Sequence, residues 1–404
     1  MADVLESPAL ARTVALCLLA ALCEGFDVQA AGVAAAGLRD EMRPSPQALS
    51  LFFSASGAGL LIGALIGGRA SDIVGRKIVL AASIAAFGIC SLLTSVAPDM
   101  LSLIGARFLT GLGLGGAMPN LVALAADASG PSRRSGSIAA AFIGMPLGAV
   151  VASLVVSAAP SEAWRLVFQL GGIAPLLVVP LIVRYLPSAP TTREVPVAMT
   201  TRFTAMQGLF GDGRTATTLL LWASFLLIVL TLHLMLNWLP LLLMGRGLSN
   251  NHAALAQAAF NVGGAVTGLG VGTLLDSRWK RVAITISVVA LPAILVMTAI
   301  CPPWASLLFG LAFLLGGSII SEQVIVYAVV GTCYDIASRG TATGAAVAVG
   351  RVGSLVGPLV AGSLLAAGRS PAQVLVGVLP IVLGCGAIVA FLGWRKLAPA
   401  TIST

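Results

Sequence analysis

Five charged side chains stand inside long apolar runs of this sequence: Glu24, Asp27, Arg107, Glu322 and Arg351. An ionised group at the centre of a bilayer costs at least ~2.5–3.5 kcal/mol on insertion scales, so each is a functional candidate by default. Glu24 and Asp27 lie three residues apart and therefore share a helical face. Two carboxylates side by side in low dielectric repel, and binding a proton relieves the repulsion, which suits a group that exchanges protons near neutral pH. The competing role is a pair of structural carboxylates bonded to neighbouring helices; keeping two on one face is costly, which favours proton coupling. Arg107 and Arg351 remain cationic at any attainable pH and offer planar forks matching a carboxylate. Arg107 either contacts an anionic substrate or is fixed in an ion pair with an acid of the first apolar run. Arg351 sits between Gly350 and Gly353, with Ser354 and Pro358 on a similar face, and these small neighbours leave room for a bound anion.

Further polar residues extend the candidate site. Glu322, Gln323 and Tyr327 occupy one run, His233 and Asn237 share a face four residues apart in another, and Asn261 and Asn120 stand in two more. Together they are expected to line a polar cavity, with Glu322 ranked above His233 because it carries charge. A lone intramembrane histidine is more often a packing residue than a proton relay.

The elements that position these groups follow from composition. Of 404 residues 58% are hydrophobic and only 9% charged, and the mean hydropathy is +1.01, values that exclude a water-soluble chain. Polar clusters and Gly/Pro punctuation cut the sequence into twelve spans, at 12–36, 48–69, 78–97, 101–126, 137–159, 164–186, 215–243, 253–275, 282–300, 304–330, 341–366 and 372–393. The expected fold is an all-α membrane protein of two pseudo-symmetric six-helix halves: 1–186, a cytoplasmic linker at 187–214, and 215–404. With both termini in the cytoplasm, sixteen Lys and Arg fall on the inner side, whereas Arg39, Arg43, Arg165, Arg246 and Arg369 fall on the outer one. That asymmetry orients the chain as a multi-pass protein of a bacterial cytoplasmic (inner) membrane. The net charge of +8 resides in short loops rather than in a stripe interleaved with aromatics, which argues against a nucleic-acid partner. The six cysteines are scattered without a CxxC pair, so neither disulfides nor a metal site is indicated. The first run is too long for a signal-peptide core and is read as a retained span.

One loop carries a local signature. Gly68-Arg-Ala-Ser-Asp72 followed by Gly75-Arg76-Lys77 recurs as Gly272-x-x-x-Asp276 followed by Lys280-Arg281, an offset of 204 residues from Asp72 to Asp276. Arg134-Ser-Gly-Ser leading into Gly144-Met-Pro146-Leu-Gly148 parallels Arg339-Gly-Thr-Ala leading into Gly350 and Gly357-Pro358, an offset of 205. Matches at one offset and in one orientation indicate a parallel duplication, as in carriers whose halves rock about a midplane site. The glycines permit a tight turn and close helix approach, and Asp72 can cap a helix or pair with a basic residue of the facing half. Such a cluster is expected to gate the cytoplasmic side as a latch, closed when the site faces outward.

These features together resemble the major facilitator superfamily. Within it, Glu24-Gly-Phe-Asp27-Val-Gln-Ala-Ala-Gly, the run from Arg107 to Pro119-Asn120, and Gly350-Arg351-Val-Gly are similar to the aromatic acid:proton symporters. Glu24-Gly and Asn237-Trp-Leu-Pro240 are most similar to its 3-(3-hydroxyphenyl)propionate carriers, whereas benzoate and protocatechuate carriers usually show Asp-Gly-Phe-Asp. The resemblance implies import of an aromatic carboxylate anion, such as 3-(3-hydroxyphenyl)propionate or a hydroxybenzoate, with Glu24 and Asp27 coupling protons and Arg351 holding the anion. A monomer without cofactor is expected. Two rivals within transport are a drug:proton antiporter, for which Gly144-Met-Pro146-Leu-Gly148 is a poor signature, and an importer of a non-aromatic acid such as muconate. An intramembrane enzyme is disfavoured: there are two histidines, His233 and His252, and no HExxH or GxSxG motif.

Overall fold

The hydrocarbon core offers backbone groups no water, so an apolar stretch of twenty or more residues satisfies its N–H and C=O groups by closing into a helix. The structure, a computed structural model, describes residues 8–129, 134–160, 163–186, 206–211, 213–275 and 277–396, and twelve of its helices are long and apolar enough to cross a membrane. They are α1 (Pro8–Met42), α2 (Pro46–Val74), α3 (Arg76–Val96), α4 (Met100–Asp127), α5 in two segments (Arg134–Phe142 and Gly144–Ala158), and α6 (Arg165–Tyr185). The second half comprises α7 (Thr215–Met244), α8 (Asn250–Leu275), α9 (Lys280–Ile300), α10 (Ala305–Cys333), α11 (Ile336–Ala366) and α12 in two segments (Pro371–Gly377 and Leu379–Lys396). Most of the linker expected at 187–214, and Asp276, lie outside the described residues.

Local chemistry sets the boundaries. Ser45 caps α2 by accepting the Ala48 N–H at 3.2 Å, with Pro46 in the first turn, and Gly75 ends α2 at φ 97°, a value that favours glycine. Asp99 and Ser102 form a capping box on α4, and those hydrogen bonds hold the Asp99 carboxyl below its ordinary range. Several helices exceed the spans read from the sequence; α1 runs for 35 residues.

Packing repeats between the halves. Helix α1 lies against α5 as α7 lies against α11, and α2 against α4 as α8 against α10. The halves meet where α2 faces α11 and α5 faces α8, contacts that the same pseudo-twofold operation exchanges. An even number of crossings leaves the first and last helix ends on one face, the terminal face. The hydrogen bonds that cross between halves, such as Ser54 Oγ to the Leu355 carbonyl at 2.8 Å, lie in the part of the bilayer away from that face. Nearer the terminal face, a Cβ at Gly68, Gly136, Gly340 or Gly344 would meet nothing within 4 Å. The hydrogen bonds between the halves thus gather toward the face opposite the termini.

Candidate functional site

Helix α1 carries the first acids into the interior. Asp27 is fully buried and accepts Arg107 Nη1 of α4 at 2.8 Å, while Arg107 Nη2 reaches the Asp27 carbonyl at 3.3 Å. The guanidinium also lies 5.7 Å from the Phe168 ring centroid. Of the two roles open to Arg107, the structure displays the ion pair, with the side chain buried. One oxygen of each acid, Asp27 Oδ1 and Glu24 Oε2, accepts no hydrogen bond.

Arg351 differs from Arg107. It is half-buried on α11, forms no ion pair among the described residues, and its charge acts on Glu24, His233 and Tyr327. Tyr327 packs edge-on against Phe225, centroids 4.9 Å apart, and remains 42% exposed. Gln323, one turn away on α10, is half-buried on the same side. Arg351, Glu24, Tyr327 and Gln323 thus place a cation, an acid and an aromatic face in one neighbourhood. His233 Nδ1 contacts the Val229 carbonyl at 3.0 Å and Asn237 Nδ2 donates to the His233 carbonyl at 2.8 Å, so both are tied to their own helix.

Other candidates are placed elsewhere. Glu322 points away from Tyr327 into the core of the second half, sealed against Gly386 and beside Cys385, with neither carboxyl oxygen hydrogen-bonded. This corrects its expected place in the cavity lining: along α10, residues 322 and 323 are about 100° apart, and the one beside Tyr327 is Gln323. Asn120 is buried and donates to the Gly116 carbonyl of its own helix at 2.8 Å. At the loop signature, the close approach expected of Gly68 is made instead by Gly67 against Gly116. Asp72 is exposed without a hydrogen bond or ion pair among the described residues, Lys77 is half-buried, and Arg76 pairs with Asp127 within its own half. A latch between halves has no partner to grip while the terminal face is open.

One cluster escaped sequence reasoning except for Asn261. Gln29 is fully buried, donates from Nε2 to the Leu236 carbonyl at 3.1 Å, and through Oε1 accepts Gln257 Nε2 at 3.1 Å and Asn261 Nδ2 at 3.0 Å. These bonds join α1 of one half to α7 and α8 of the other. Leu236 is four residues before Pro240, which has no N–H, so its carbonyl lacks a helical donor and turns to α1. Gly32 makes room: a Cβ there would collide with that same carbonyl. Trp238 closes the seam beside it, its ring edge-on to Phe53 at 5.2 Å and its N–H on the Pro358 carbonyl at 3.0 Å. The signal was a pair of neutral amides in apolar runs, which a search for charge passes over.

Residues 17–358 match the family described as Major Facilitator Superfamily. The chain is 38% identical to the 3-(3-hydroxy-phenyl)propionate transporter of Escherichia coli, over 97% of this chain and 96% of that one. It is 30% identical to the gallate transporter of Pseudomonas putida over 87% and 85% of the two chains, and 29% identical to the 4-hydroxybenzoate transporter PcaK of Pseudomonas aeruginosa over 95% and 92%. Among solved structures, a bacterial homolog of the human lysosomal transporter Spinster, inward-facing and unoccupied, superposes with a TM-score of 0.78 at 16% identity, covering 97% and 98%. A D-xylose-proton symporter superposes at 0.74 and 16% identity, covering 95% and 97%.

Proposed function

The chain belongs to the Major Facilitator Superfamily, and on that premise we propose that it imports an aromatic carboxylate together with protons by alternating access. The observation that carries this reading is the charge balance around Arg351. Of the two arginines within membrane spans, Arg107 is neutralised by Asp27, whereas Arg351 has only the nearby Glu24 to balance it among the described residues. A substrate carboxylate arriving at Arg351 takes over as counter-charge. Glu24 is then left with a negative charge in low dielectric and no cation to itself, and takes up a proton. Anion and proton thus load together because the site holds one net negative partner at a time. The exposed face of Tyr327 against Phe225 supplies an edge and a plane for the substrate ring.

Asp27 adds a second step in this reading. A proton on Asp27 weakens the bridge to Arg107 and loosens α1 from α4, coupling protonation to helix movement. Import of a monovalent anion with one proton is electroneutral; each further proton adds ~2.3 kcal/mol of drive per 100 mV. The Gln29 seam opens in the outward-facing state, when Asp72 and the loop signature close the terminal face. The relatives that carry 3-(3-hydroxyphenyl)propionate, gallate and 4-hydroxybenzoate support an aromatic acid as cargo.

Purified protein in liposomes tests the proposal, with an imposed proton gradient acid outside and labelled 3-(3-hydroxyphenyl)propionate, 4-hydroxybenzoate or muconate as cargo. Accumulation of an aromatic acid that collapses with a protonophore is expected. Extrusion against the inward proton gradient, or uptake of muconate alone, overturns it. Glu24→Gln is expected to retain exchange of bound substrate while losing gradient-driven accumulation.

A further inference from the structure

At the terminal face, the start of α9 and the end of α12 enclose a groove of about 580 Å³ on the outer wall of the bundle, lined by Arg281, Val282, Thr285, Ile286 and Trp394. Below Arg281 an apolar stripe continues along α9: Val282, Ile286 and Val289 recur at helical spacing and are 45%, 60% and 62% exposed. In a bilayer such a groove is filled by lipid, since water there would leave the stripe unsatisfied.

The mouth of the groove is positive. Arg278 precedes α9, Lys280 and Arg281 open it and Arg395 lies in the last turn of α12, and among the described residues none of them forms an ion pair. Lys396 follows in sequence, against a single acid, Asp276, which lies outside the described residues. Two of the cations are steadied by aromatic faces, Arg278 over Trp279 at 5.3 Å and Arg395 over Phe391 at 4.8 Å. Trp279 and Trp394, each about half exposed, mark the level of the headgroups. At the pseudo-symmetric position in the other half, Arg76, which corresponds to Lys280, pairs with Asp127.

We propose that the groove between α9 and α12 binds an anionic phospholipid, its phosphate beside Arg281 and one acyl chain along Val282, Ile286 and Val289. A basic mouth over an apolar track selects headgroup charge and requires a chain, so free phosphate is excluded as the occupant. The site is independent of the transport reading.

The test is lipid binding to the purified full-length protein in detergent, followed by native mass spectrometry and by the thermal-unfolding shift. Dioleoyl phosphatidylglycerol is compared with dioleoyl phosphatidylcholine and with inorganic phosphate. Each basic side chain near the headgroups contributes roughly a fivefold factor, so the wild type is expected to prefer phosphatidylglycerol by at least about tenfold. Arg281→Glu is expected to bring that ratio to about one, and Ile286→Trp, which fills the groove without changing charge, to lower retention of both lipids. Arg184→Glu, on the same face of the other half, is expected to keep the preference. Equal loss in Arg184→Glu signals diffuse surface charge, an unchanged ratio in Arg281→Glu signals another site, and a shift with phosphate alone signals a free-anion site; each overturns the proposal. If Arg281→Glu unfolds, Arg281→Gln and Ile286→Trp give the same reading.

Discussion

Replacing Pro240 with alanine changes one atom group that matters across the molecule: it restores an N–H four residues beyond Leu236. In the wild type that carbonyl has no helical donor and accepts Gln29 from the other half at 3.1 Å. Pro240→Ala turns the carbonyl back along α7 and weakens its bond to Gln29. A neutral hydrogen bond contributes ~0.5–1.5 kcal/mol net, so the closed state of this face is expected to lose about 1 kcal/mol, roughly a fivefold shift in the ratio of states. Gln29→Leu removes that bond and the two accepted from Gln257 and Asn261, and its cost is about 2–4 kcal/mol. The cost is partly offset because Asn261 Nδ2 keeps the Gln257 carbonyl at 3.0 Å. Hydrogen-exchange mass spectrometry reads both faces of the purified protein. Segments at the closed face, around 42–50, 243–253 and 355–371, are expected to exchange faster and the terminal-face loop around 68–78 more slowly. In a Gln29→Leu background, Pro240→Ala is expected to add nothing, because its target bond is already gone. Faster exchange on both faces indicates ordinary destabilisation, and additive effects in the double variant show that the Leu236 carbonyl is not the link; either result refutes the reasoning.

Arg107→Leu strands Asp27 in the interior and is expected to destabilise the protein by ~3–5 kcal/mol, whereas Asp27→Asn/Arg107→Leu recovers most of that, measured by thermal unfolding in detergent. Asp27→Asn alone is expected to fold and to abolish proton-coupled accumulation; full gradient-driven uptake argues against its coupling role. Arg351→Ala is expected to weaken carboxylate binding by ~1.5–3 kcal/mol while neutral amide analogues lose little, checked by calorimetry, and equal losses assign the arginine to structure. Asp72→Asn is expected to slow turnover with substrate affinity unchanged and with no loss of thermal stability, since Asp72 is exposed and forms no hydrogen bond or ion pair among the described residues; a pure affinity defect in flux assays counts against a latch.

Much of the fold was legible in the chain itself. Hydropathy alone determined twelve spans, because a bilayer forces every apolar run of sufficient length into a helix, and the repeat of Gly68 to Lys77 near Asp276 announced two parallel halves. The costly buried charges were equally visible: Glu24, Asp27, Arg107 and Arg351 break the apolar pattern wherever the protein folds. Sequence could not assign their partners. Whether Arg107 faces a substrate or Asp27 depends on how α1 and α4 are rotated about their axes, and glycine contacts along α2, α4 and α5 fix that rotation. Likewise a one-residue step on α10 decides that Gln323 stands beside Tyr327 while Glu322 is sealed against Gly386. Gln29 was hidden for a different reason. Its importance rests on a carbonyl that Pro240 frees more than two hundred residues away, and only the approach of the two halves brings donor and acceptor together.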